Sequence, residues 1–499
     1  MSTNIVRREF LKAASAGTAA IIIGYSREAG AWVGGGGHHH DPFDHVPPLD
    51  GELLTDEASR LAMGTDLGLL IFNTPNAVLR PGSIDDISKM VKFCKARNIV
   101  VAARGQGHAT HGQAQAGAGL VIDMSSMQQI HEIGDGYAVV DGGCTWRLLL
   151  ESSVVASPPQ TPPVLTGYIG LSIGGTLSMG GISGMAYNIG TQVQQVLELT
   201  VVTGRGKVKV CSETKNRKLF DYVLAGLGQC GIIVKAKVKM VPAKPLAANS
   251  TAVYFDPVLL QDDIRTLVYR NELDSIFAIA VLDPGGSGQL VWLINVAKFH
   301  DPSETPDMAH FMRDLHFIPP TFATVDMPYL DYQLIVDNQI DQLRAFGLFE
   351  GVMHPWYDVF VGDSQVADHV TEVVSSMQPD DVGPFGFVLM FPLLTSTISR
   401  PLFRLPDEEL VWLFDVLTSH TVPGFDADFG ANKRARNNMW FDMARDSGGT
   451  RYPIGTLDFT PGDWRRHYGP AWHAFELAKE EFDPENILTP GPGIFPRGC

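Results

Sequence analysis

Two glycine-rich segments carry the residue types that cradle an anion: 104–113, reading RGQGHATHGQ, and 167–190, reading GYIGLSIGGTLSMGGISGMAYNIG. Glycine at that density lets backbone N–H groups converge on a phosphate with no Cβ in the way. A dinucleotide lying across both segments fits better than two tight surface loops. The first segment also holds His108, and the second a series of hydroxyls at Ser172, Thr176, Ser178 and Ser183. A serine hydrolase is a second reading, since Gly170-Leu171-Ser172-Ile173-Gly174 matches G-x-S-x-G. That elbow needs a strand before it, and Pro162, Pro163 and Gly167 leave little room for one. The chain has no G-x-G-x-x-G, no G-x-x-x-x-G-K-[ST] and no H-E-x-x-H, so a Rossmann dehydrogenase, a P-loop enzyme and a zincin each lose their main support.

These segments must be held by regular elements, and the periodicity supplies them. Ser83-Ile84-Asp85-Asp86 is a capping box, after which Ile87, Met90, Val91 and Cys94 fall on one helical face, which predicts a helix over 83–98. The apolar run 99–103 reads as a strand that delivers the chain into the first glycine segment. Further strands are expected over 120–123, 137–141, 196–203, 207–212 and 232–241, the last alternating with Lys235, Lys237 and Lys239. Pro242 and Pro245 mark a domain boundary. Beyond it come strands over 278–282 and 290–296 among amphipathic helices, and near the end a helix over 470–482.

At 499 residues the chain is long enough for two or three domains. With 38 Lys+Arg against 55 Asp+Glu its net charge is −17, the wrong sign for a general nucleic-acid or anionic-membrane binder. Residues 1–31 read as an export signal: Arg7-Arg8 in VRREFLK, an apolar stretch too short to span a bilayer, and Ala29-Gly30-Ala31 as a small-x-small cleavage site. The mature protein is expected in the periplasm or secreted by the twin-arginine route. Five cysteines without a CxxC argue against a metal ribbon or a disulfide framework. His38, His39, His40, Asp41 and His45 could catch a transition metal, but their Gly/Pro-rich surroundings read as a linker, and no metal site is expected.

The stretch 75–123 resembles the FAD-binding domain of the vanillyl-alcohol oxidase (PCMH) type, and the likeness is greatest to cytokinin dehydrogenases. Blocks 173–184, 219–235, 347–361 and 482–495 support it, so the similarity runs from about residue 55 to 495. The resemblance implies an α+β, two-domain PCMH-type FAD-binding fold with a mixed α/β cap. Residues 32–54 would be a flexible linker, 55–245 the FAD domain, 246–430 the cap, and 431–499 a segment completing the FAD domain. It implies FAD bonded covalently through His108, a pyrophosphate lined by Arg104, Gly105, Gln106 and Gly107, and flavin contacts from Ala109, Gln113, Gly167, Ser172, Ser178, Ile182 and Ile233. Enzymes of this kind with two covalent links carry a Cys near Tyr168, so one link is expected here.

Departures from the pattern bear on the chemistry. Cytokinin dehydrogenases have an Asp base at Gly167, a tryptophan near 398–399, a Gln at Pro492 and a Ser at Ala109. Glycine cannot accept a proton. Tyr168, Tyr187, Asp331, Glu350 and His354 are the alternatives by chemistry. Of these, Asp331 is expected to be solvated, and His354 with Trp356 to pack a strand start, so no base is assigned. The expected enzyme oxidises a C–N or C–O bond of a small molecule and passes electrons to O2 or another acceptor, with neither nucleic acid nor membrane as partner.

Overall fold

The computed structural model describes residues 25–26, 31–32, 42–383 and 385–497. Most of the expected export signal, the histidines 38–40 with Asp41, and Cys499 lie outside the described residues. The first sheet has four strands in the order Glu52–Leu54, Ala77–Arg80, Leu120–Asp123, Val101–Arg104. The last three are parallel, and the helix Ile84–Ala96 makes the crossover. Ser83 caps that helix by accepting from the Asp86 N–H, and the expected face of Ile87, Met90, Val91 and Cys94 is buried. The buried Asp86 carboxylate also accepts from the N–H groups of Asp50 and Gly51, and Phe43 enters the core. The part of the expected linker from 42 to 54 is therefore docked onto the domain.

A second, antiparallel sheet of five strands follows the order Val208–Cys211, Val196–Val202, Ile232–Lys239, Tyr137–Asp141, Ile130–Gly134. Strand Ile232–Lys239 keeps its lysines out of the core, and its partners Ile232 and Val234 share a hydrophobic cluster with helix Ile84–Ala96. The helix is thus sandwiched between the two sheets, a layered arrangement that buries all of its apolar stripe. Helix Trp472–Phe482 returns from the end of the described chain to pack on this domain. Its Lys479 is 4% exposed and donates to the Gln229 carbonyl (3.1 Å), Gln229 Oε1 (3.2 Å), Asp483 Oδ2 (2.7 Å) and the Leu488 carbonyl (3.2 Å). Removing one side of a buried, hydrogen-bonded charge pair leaves the other uncompensated. Lys479→Met is therefore expected to cost about 3 to 5 kcal/mol, read by chemical denaturation.

The cap is one eight-stranded antiparallel sheet, ordered Ala323–Pro328, Leu246–Tyr254, Leu290–His300, Ser275–Leu282, Phe387–Leu394, Leu410–Leu417, Tyr357–Gly362, Thr450–Arg451. Strand alternation splits its faces. Ile276, Ala278, Ala280, Val388, Met390, Trp412 and Phe414 pack under helices Pro257–Arg270, Val366–Ser376 and Ala427–Asp446. Phe277, Ile279, Leu389, Phe391 and Leu413 face the FAD-type domain. The boundary expected at 430 falls inside helix Ala427–Asp446, whose Trp440, Phe441 and Ala444 belong to the cap core. The cap thus extends through the strand Thr450–Arg451, because the tryptophan and its neighbours need the sheet to cover them. Among the described cysteines Cys94, Cys144, Cys211 and Cys230 are all buried and free. No helix among the described residues is long and apolar enough to cross a membrane.

Candidate active site

Strand Val101–Arg104 ends in the first glycine segment, and local chemistry sets the loop's path. A Cβ at Gly105 would fall inside the Ser172 hydroxyl, so only glycine lets the loop lie against the start of helix Ile173–Met179. Gly107 takes φ 67°, with the Arg104 guanidinium filling the place a side chain would need. Its carbonyl accepts from Leu67 N–H at 2.9 Å, while Arg104 donates to the Thr65 carbonyl. On the other side, Ile173 N–H bonds the Cys144 carbonyl (2.8 Å) and Gly174 N–H the Gly142 carbonyl (2.8 Å). Segments separated by some sixty residues of chain are thereby brought face to face.

Between them and the cap sheet lies a cavity of about 1070 Å³, just above the ~300–1,000 Å³ range of small-molecule sites. Gly105, Gln106, Gly107, His108, Ala109, Gln113, Gly167, Ser172, Ser178, Ile182 and Ile233 all line it. Arg104 does not; its side chain turns beneath Gly107 and supports the loop from behind. Gln113 accepts from His111 N–H and donates to the carbonyls of Pro453 and Ile454 (3.0 Å each), fastening the loop to the end of the cap. His111 sits outside the cavity, 3.4 Å from Asp458. Ser172 has no strand before it, so the hydrolase elbow does not form.

His108 is boxed by aromatic rings: Tyr168 at 5.1 Å, Trp356 at 5.2 Å and Phe349 at 5.9 Å between centroids. Burial, with His354 and Arg344 nearby, pushes it down to about 3, so its imidazole is neutral and keeps a free lone pair. His354 and Trp356 stand buried just before strand Tyr357–Gly362, at a strand start as expected, and both also form part of the cavity wall. His354 Nε2 bonds the Phe349 carbonyl at 2.7 Å. Residues 398–399 are Ile and Ser, and the tryptophan in the cavity wall is Trp356, just before strand Tyr357–Gly362. None of the described cysteines lines the cavity.

Of the candidate bases, Tyr187 is buried on the far side and donates to the Leu273 carbonyl, Asp331 is exposed, and exposed Glu350 pairs with Arg344. Tyr168 remains at the cavity, its phenol pushed up by burial. Three carboxyls that residue spacing did not single out also line it: Asp66, Asp358 and Asp415. Asp66 accepts from Gly112 N–H at 2.6 Å, and burial pushes it up to about 7. Asp358 and Asp415 are register partners on adjacent strands, and burial raises both above the ordinary carboxylate range. A carboxyl raised in the folded state holds more protons than in the unfolded chain. Its stabilising effect is complete below about pH 4 and lost as pH rises toward the folded value. Asp415→Asn, neutral at all pH, should therefore gain stability relative to wild type as pH rises from about 4 to neutral, seen in paired denaturation midpoints.

The residues fit FAD. At Gly105 a Cβ would strike the Ser172 hydroxyl, so glycine keeps the loop open there, Ser172 and Ser178 line the cavity beside it, and the apolar sheet face gives a planar ring a dry wall. Comparison with known proteins points the same way. Residues 75–212 match a family model described as FAD binding domain. Residues 259–495 match one described as cytokinin dehydrogenase 1, FAD and cytokinin binding. The chain is 33% identical over 439 residues to the oxidoreductase ORF5 in the fasciation locus of Rhodococcoides fascians, covering 88% of this chain and 97% of that protein. It is 32% identical over 504 residues to cytokinin dehydrogenase 3 of Oryza sativa subsp. japonica (90% and 92%). With cytokinin dehydrogenase 4 of Arabidopsis thaliana it shares 30% over 492 residues (89% and 92%). A two-domain architecture, a glycine cradle beneath a cap sheet, and likeness along nearly the whole length agree: the chain belongs to the cytokinin-dehydrogenase family of FAD-linked oxidoreductases.

Proposed function

We propose that the protein is exported and oxidises a C–N or C–O bond of a small organic molecule, with FAD held covalently through His108. The supporting observation is His108 itself, a neutral imidazole on the cavity wall, at the join of the two glycine segments. When bound, FAD supplies a two-electron acceptor at its N5 for hydride from the substrate carbon. The chain's own residues do the rest. The backbone of 105–107 and the Ser172 and Ser178 side chains, which line the cavity, would hold the pyrophosphate and neighbouring polar groups. Phe277, Ile279, Leu389 and Leu413 exclude water from the face where the substrate lies. His108 would hold the ring in one register, with O2 or another acceptor as the proposed destination of the electrons.

Position 167 is where the reading departs from a cytokinin dehydrogenase of the usual kind. Gly167 supplies no base, and a Cβ there would meet nothing within 4 Å. A true cytokinin or amine dehydrogenase with the base displaced is the second reading, favoured by the cap's match to the cytokinin-binding family model. Anaerobic mixing of the yellow protein with N6-isopentenyladenine, benzylamine and vanillyl alcohol separates them. Bleaching by the adenine derivative alone selects the cytokinin reading, and bleaching by an alcohol selects C–O oxidation. A flavin that stays oxidised with all three would mark a binding protein and overturn the proposal. Export is tested separately: Arg7→Lys with Arg8→Lys should hold the protein in the cytoplasm.

A further inference from the structure

The cavity wall supplied by the cap sheet is mostly apolar, and two amides break that pattern. Asn249 on strand Leu246–Tyr254 and Asn295 on strand Leu290–His300 both line it. Register sets Asn249 opposite Ala297 and Asn295 opposite Thr251, so the two amides are diagonal neighbours on one face, roughly 7–8 Å apart. On its other side Asn295 stands opposite Phe277, whose half-buried ring lines the same wall. Resting on the oxidoreductase reading, we propose that Asn249, Asn295 and Phe277 form a sugar-binding subsite. The substrate would then carry a neutral glycosyl group remote from the bond that is oxidised.

The fold does not use these amides. The Asn249 side chain has no hydrogen-bond partner among the described residues, and Asn295 makes one long bond along its own strand, from Nδ2 to the Leu293 carbonyl at 3.4 Å. Ser275, opposite Ala297, is by contrast already engaged with Tyr332. Each carboxamide offers two donors and an acceptor oxygen, a set that meets the vicinal hydroxyls of a sugar. An aromatic face beside them takes the apolar C–H face of the sugar ring. Gln339 and Gln342 on helix Ile335–Ala345 line the cavity too and add neutral groups. No Lys or Arg among the described residues lines it, so beyond the glycine cradle a phosphorylated or carboxylated tail would lose its water without a counter-charge.

The subsite is far from His108. Strand Leu290–His300 lies four places across the sheet from strand Tyr357–Gly362, roughly 19 Å at ~4.8 Å per strand. Trp356, just before that second strand, is the ring that meets His108. A substrate oxidised beside a flavin linked at His108 therefore reaches the amides only through a tail, which benzylamine and vanillyl alcohol lack.

The test pairs each probe with its glycosylated form: N6-isopentenyladenine with its 9-riboside, vanillyl alcohol with its 4-O-glucoside, and benzylamine with 4-(glucosyloxy)benzylamine. Anaerobic bleaching of the flavin-loaded enzyme gives Kd and limiting rate for each. The shift of the oxidised flavin spectrum on mixing gives Kd even where no bleaching follows. Wild type should bind at least one glycosylated probe more tightly than its parent. In Asn249→Ala/Asn295→Ala the ratio of those two Kd values should move against the glycosylated probe by about 5- to 150-fold, the worth of two neutral hydrogen bonds. Phe277→Leu, which keeps the wall apolar, should move the ratio the same way by about 2- to 12-fold, and decides alone if the double variant does not fold. No preference for a glycosylated probe in wild type, or a ratio within about twofold of wild type in the variants, overturns the inference alone. Bleaching of wild type by none of the probes overturns the oxidoreductase reading, and the spectral Kd values then decide the subsite by themselves.

Discussion

His108→Ala is expected to convert a flavin that stays with the acid-precipitated protein into one that passes wholly to the supernatant. The ring is held for this link by its surroundings rather than by hydrogen bonds. Tyr168, Trp356 and Phe349 crowd it on three sides, and its position at the end of the glycine loop fixes the backbone from which it projects. Because its environment depresses it to about 3, the imidazole is unprotonated throughout the ordinary range. The covalent fraction formed on adding FAD to apoprotein should then be flat from about pH 5 to 8, where an imidazole of ordinary pKa near 6.5 would show a step. The variant should still bind flavin, because the cradle and the apolar wall are untouched. Wild-type flavin released by acid would remove the link while leaving the flavoprotein.

The cradle itself is tested at Gly105. A valine there places its Cβ inside the Ser172 hydroxyl and adds two methyl groups at a position that lines the cavity. Overpacking of this kind costs about 1 to 3 kcal/mol, and charged against flavin binding that is about a 5- to 150-fold loss of affinity. Gly105→Ala should fall between, and Gly105→Ala with Ser172→Ala should recover part of it, because the second change removes the atom that the first one strikes. Flavin titration of the three variants, made in a His108→Ala background so that binding is reversible, reads the series. Equal affinity throughout would show that the two glycine segments do not close on one ligand.

How much of this was legible before any coordinates depended on distance along the chain. The helix Ile84–Ala96 came with its cap and its buried face, and strands Leu120–Asp123 and Tyr137–Asp141 came with their bounds, because capping and periodicity are local. The two glycine segments could be paired as one site because each carries its own conformational signature. Asp358 and Asp415 carry none. Each is a lone acid inside an apolar strand, and only the register of two strands distant in sequence makes them a pair. Alternation around His354 to Phe360 would have placed Trp356 and Asp358 on one face, but which face met the ligand was set by the helices covering the other. Helix Ala427–Asp446 was hidden for a related reason: its buried residues are Gly430, Lys433, Asn437, Trp440, Phe441 and Ala444, a stripe with too much polarity to announce a core contact.

The strand that carries the chain into the flavin loop is completed from far away. Val101 N–H bonds the Ile487 carbonyl at 2.8 Å, Thr489 N–H bonds the Val101 carbonyl at 2.8 Å, and Gln113 is tied to Pro453 and Ile454. During synthesis, residues 101–113 leave the ribosome long before those partners exist. Capture of the cofactor is therefore an event of the finished polypeptide, and the interval between translation and loading belongs to whatever keeps the half-made cavity from being filled by something else.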